Sequence, residues 1–103
     1  MHLKDNTVNI VDLVPELVMQ LPSIDQIYAD EYHTELVITS GKDGIHGKGS
    51  LHYEGKAVDL RTWNVLVSLV SRLQAELGPN FEVVLEKDHI HVEYDPQHDK
   101  KIG

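Results

Sequence analysis

The stretch Ser50-Leu51-His52-Tyr53-Glu54-Gly55-Lys56-Ala57-Val58-Asp59, answered further on by His89-Ile90-His91, decides how this chain is read. Its chemistry is an imidazole at His52, a carboxylate at Asp59 and a second imidazole at His91. Two histidines and one carboxylate make three protein ligands, a set that suits a catalytic zinc with its fourth position open to water. Gly55 lies between His52 and Asp59, where a tight turn folds the two back towards one point. His89 and His91 are two apart, so a strand that carries them presents both on one face.

The flanking sequence supplies the scaffold. Lys56 to Arg61 alternates and reads as a short strand, with Ala57 and Asp59 on one face and Val58 and Leu60 on the other. Burying the Asp59 carboxylate there is costly without a partner. A metal is one such partner, and backbone hydrogen bonds are another. Phe81 to Leu85 and His89 to Tyr94 read as two strands joined by the turn Glu86-Lys87-Asp88. In a continuous strand Asp88 faces away from the histidines, whereas a hairpin turn swings it to their side. Glu35 to Thr39 is a β-branched strand, and the glycine-rich run from Ser40 to Gly49, with His46 in it, is a loop. A lone loop histidine such as His46 is ordinarily just solvated.

Thr62 to Leu77 is the clearest helix, with Trp63, Leu66, Leu69, Val70, Leu73 and Leu77 in one apolar stripe and Gly78-Pro79 closing it. The stripe is core and carries no chemistry. Towards the amino terminus, residues 1 to 6 are polar and expected to be loose. A helix is expected from near Asp12, ended by Pro22, followed by a second short helix capped by Ser23 and running through Ile24, Ile27 and Tyr28. Gln97 to Gly103 reads as a polar, mobile tail in which His98 is a bystander.

At 103 residues the chain is one domain, 1 to 103, long enough for one modest core. The absence of cysteine removes disulfides and thiolate ligands, so a metal here must use histidine and carboxylate. A formal net charge of −8 argues against nucleic acid, which needs clustered lysine and arginine. No apolar run approaches the ~20 residues of a membrane span, and Met1 to Asn6 lacks the apolar core of a secretory signal. No membrane insertion is therefore expected, and a target outside the cytoplasm would need separate delivery.

Ser-x-His-x-x-Gly-x-Ala-x-Asp with a late His-x-His resembles the zinc peptidases of the D-alanyl-D-alanine carboxypeptidase and L-alanyl-D-glutamate endolysin group. The wording from Ser50 to Asp59 also resembles the hedgehog amino-terminal signalling domain, which shares that fold. Four pieces recur in order: Thr39-Ser40-Gly41, His46, Ser50 to Asp59, and His89 to His91. The resemblance covers roughly residues 36 to 95. It implies an α+β fold with a small antiparallel sheet and helices on one side, and zinc held by His52, Asp59 and His91. It places Asp88 where the endolysins have their catalytic acid, with Glu86 as the second choice, and His46 and His89 beside the site as bracing or oxyanion-stabilising groups. The family arginine after Thr-Ser-Gly is replaced here by Lys42 and Asp43. The implied activity is a zinc metallopeptidase hydrolysing peptidoglycan stem peptides, a phage or prophage lysis enzyme in which zinc acidifies a bound water and Asp88 takes its proton. The rival is a zinc-containing, non-catalytic hedgehog-like binding module or virion component, since hedgehog domains keep the zinc site yet signal through partners.

Overall fold

The computed structural model describes residues 1–33, 35–41, 54–62 and 67–96. Five strands form one sheet: β1 (His2–Leu3), β2 (Val37–Ser40), β3 (Ala57–Arg61), β4 (Phe81–Leu85) and β5 (His89–Tyr94), in the order β1-β2-β3-β5-β4. Three helices accompany it: α1 (Pro15–Val18), α2 (Leu21–Tyr32) and α3 (Val67–Leu77). The class is α+β, as expected. The sheet, however, is mixed. β1 runs parallel to β2, while the β2–β3, β3–β5 and β4–β5 pairs are antiparallel.

One face of the sheet makes the core. Ile38, Val58, Leu60, Val83, Phe81, Ile90 and Val92 join Leu17, Leu21, Ile24, Tyr28, Leu69 and Leu73 from the helices in a single buried cluster. Strand alternation therefore assigns the opposite face to Ala57, Asp59 and Arg61 on β3 and to His89, His91 and Glu93 on β5. The buried Tyr28 hydroxyl donates to the Arg61 carbonyl at 2.9 Å, which ties α2 to the end of β3. Gln74 ties α3 to β4: its amide donates to the Gly78 and Phe81 carbonyls and its oxygen accepts from the Val83 N–H.

Three local expectations are corrected. Residues 1–6 are not loose, because His2 and Leu3 pair with Val37 and Ile38, and the terminal amine meets Asp25 and Glu35 at 3.2 and 2.8 Å. Pro22 does not end a helix but sits in the first turn of α2, where a missing N–H costs nothing. Ser23 is consequently inside the helix, and Gln20 occupies the cap position without a side-chain bond. The first helix begins at Pro15 rather than Asp12, because the Val14 N–H donates to the Gly55 carbonyl and Val14 is extended. The expected helix start at Thr62, with Trp63 and Leu66, falls largely outside the described residues.

Candidate metal centre

Asp59 and His91 are direct partners in the β3–β5 register. His91 Nδ1 lies 3.1 Å from Asp59 Oδ1, and both side chains are nearly enclosed, 16% and 12% exposed. Two ligands at ~2.0–2.1 Å from a tetrahedral zinc stand ~3.3 Å apart. This pair therefore fits one edge of such an ion with the strands where they are. His52 and His46, together with Lys42 and Ser50, lie outside the described residues. Among the described residues no group of three histidine, aspartate or glutamate side chains is placed to hold a metal. His52, the third ligand expected from the sequence, lies outside them.

The approach to Asp59 is shaped by irregularities. Between Ile38, opposite Leu60, and Ser40, opposite Asp59, the β2 register slips by a bulge at Thr39. Bulges re-aim side chains beside sites, and here the Thr39 hydroxyl donates to the Asp59 carbonyl at 3.2 Å. A Cβ on Gly41 would lie 2.1 Å from the Asn9 carbonyl oxygen, so only glycine lets that segment close in. Gly55 has φ +72°, and a Cβ there would lie 2.2 Å from the Asp12 carbonyl oxygen. The glycine turn expected before Asp59 is present, and the segment from Asn9 to Val14 is the surface against which it is pressed.

His89 stands next along the same face. Its Nδ1 meets Asp88 Oδ1 at 2.7 Å and its Nε2 lies 3.5 Å from Asp59 Oδ1, so it spans the two carboxylates. Asp88 is in the β4–β5 turn as expected, with its side chain 85% exposed. The hydrogen bond and charge of His89 hold its carboxyl below the ordinary range. Glu86 is exposed in the same turn, and its N–H donates to the His89 carbonyl. Burial alone would lower the His91 pKa, but its hydrogen bonds to Asp59 and then Glu93, with their charges, outweigh this and raise it.

Two residues of this face were passed over in the sequence. Glu93 Oε1 lies 2.9 Å from His91 Nε2. Arg61 holds the register position opposite His89. Each is two residues along a strand from a motif residue, and that spacing was the available signal.

The chain is similar to hedgehog proteins. It is 35% identical over 68 residues to the Indian hedgehog B protein of Danio rerio, a match spanning 61% of this chain and 16% of the relative. It is 36% identical over 69 residues to the Indian hedgehog protein of Gallus gallus, spanning 62% of this chain and 17% of the relative. The chain thus spans about a sixth of the length of these curated relatives. No protein-family model matches it. Among the described residues no helix is long and apolar enough to cross a membrane.

Proposed function

We propose that this domain has the hedgehog/D-alanyl-D-alanine peptidase fold and is a zinc-dependent peptidase that cleaves peptidoglycan stem peptides. The observation that carries the reading is the facing pair Asp59 and His91, 3.1 Å apart on adjacent strands and largely enclosed. Together with His52 they form the two-histidine, one-carboxylate set that leaves a position open for chemistry. Zinc held there would supply a Lewis acid for activating water and polarising an amide carbonyl.

The chain's own groups divide the remaining work. Asp88, kept ionised by its bond to His89, is the proton acceptor, and Glu86 in the same turn ranks behind it. His89, between Asp88 and Asp59, is the candidate hydrogen-bond donor to a developing oxyanion. Arg61, at the register position opposite His89, is a candidate cation for the role left open by Lys42 and Asp43 after Gly41. His46 is the remaining candidate brace.

The second reading, a zinc-containing binding module without turnover, is favoured by one observation. Asp88 is 85% exposed and its carboxylate is engaged by His89. Digestion of purified peptidoglycan with mass analysis of the products separates the two. New amine and carboxyl ends in stem peptides support the peptidase. Intact peptidoglycan from a protein shown to hold zinc supports the binding module.

A further inference from the structure

Both ring nitrogens of His91 face a carboxylate. Nδ1 is 3.1 Å from Asp59 Oδ1, and Nε2 is 2.9 Å from Glu93 Oε1. Only Asp59 belongs to the expected ligand set, so the second carboxylate has no assigned purpose. Glu93 is two residues beyond His91 on β5 and thus on the same sheet face. Its side chain is 19% exposed, and the register sets it against Ala57 on one side and Glu82 on the other. Ala57 offers it no polar partner, and like charges directly opposite on neighbouring strands destabilise a sheet. A carboxylate is costly to enclose there unless His91 engages it.

We propose that Glu93 is a positioning residue of the metal centre. It accepts the Nε2–H of His91, fixes the ring in that tautomer, and leaves the Nδ1 lone pair beside Asp59 for a metal ion. The inference rests on the zinc reading above and deepens it. A histidine ligand commonly donates its other ring N–H to a carboxylate, which sets the ring's orientation and raises its basicity.

The test is zinc affinity, measured by competition with a chromophoric chelator, in wild type, Glu93→Ala, Glu93→Gln and Glu82→Ala. Removing such a partner costs ~10–100-fold in metal affinity, which is the loss expected for Glu93→Ala. Glu93→Gln still offers an oxygen to the Nε2–H and recovers most of that loss, so it also serves if the alanine variant folds poorly. Glu82→Ala, which removes a neighbouring charge without a bond to His91, leaves affinity unchanged. Imidazole nitrogen shifts of the zinc-loaded wild type place the proton on Nε2 and the metal on Nδ1. Unchanged affinity in Glu93→Ala overturns the proposal, as does an equal loss in Glu82→Ala, or metal on Nε2. Complete loss of binding, matching His91→Ala, makes Glu93 a ligand and overturns it too. Wild type that takes up no zinc overturns the zinc reading with it, whereas tight zinc in both wild type and Glu93→Ala overturns the role of Glu93 alone.

Discussion

Single residues set the geometry around Asp59. Gly55 combines a left-handed φ with a carbonyl oxygen 2.2 Å from where a Cβ would sit. Gly55→Ala must strain its backbone and push the Asp12 segment away. The backbone term alone costs ~1–3 kcal/mol, and a urea titration should show at least that loss of stability. Gly78 has φ +83° but nothing within 4 Å of an added Cβ, so Gly78→Ala should lose less. Asp88 and Glu86 pose the catalytic question at the same scale. Asp88→Asn keeps the shape and removes the basicity, so zinc should stay bound while peptidoglycan cleavage falls ~10²–10⁴-fold. Glu86→Gln should be much milder. Normal cleavage by Asp88→Asn with none by Glu86→Gln would reverse the two roles. Alternation makes legible that Asp59 shares a face with Ala57 and His91 with His89, and the family resemblance is what points the two towards each other. Glu93 was not legible, since an acidic residue on a half-exposed strand looks like ordinary solvation until its distance to a ring nitrogen is known.

The hairpin and the end of the last helix are legible in the sequence, and β1, which depends on a distant partner, is not. The β4–β5 hairpin has β-branched strands and a polar turn, and its strands fall at Phe81–Leu85 and His89–Tyr94 as expected. The end of α3 at Leu77 follows from Gly78. β1 carries no such signal, because two residues become a strand only when Val37 and Ile38 offer them an edge. Proline both ends helices and suits their first turn, and at Pro22 only the continuing pattern through Ile24, Ile27 and Tyr28 decides between them. The join between α3 and β4 rests on Gln74, whose side chain satisfies three backbone groups. Gln74→Ala leaves those groups without their partner, and an unmade bond to an enclosed group costs ~1–3 kcal/mol. Glu76→Ala, on an exposed position of the same helix, is the control and should shift the thermal midpoint little.

Across the whole molecule, the core and the candidate metal centre occupy opposite faces of one sheet. Leu60 and Ile90 face the helices from the same strands whose Asp59 and His91 face the other way. The helix-side cluster is held by apolar packing, so its burial does not depend on a metal. Removing zinc should therefore lower stability without unfolding the chain. A ligand bound only by the native state raises stability by ~4 kcal/mol at a thousand-fold excess over its dissociation constant. Protein carrying zinc, confirmed by metal analysis, should lose that increment on chelation as a lower thermal midpoint. At room temperature its far-ultraviolet circular dichroism should stay that of a folded α+β protein. His91→Ala should show the lower midpoint whether or not chelator is present. An unchanged midpoint after chelation would mean that the metal does not bridge these strands, and collapse of the spectrum would mean that the helix-side core cannot stand alone.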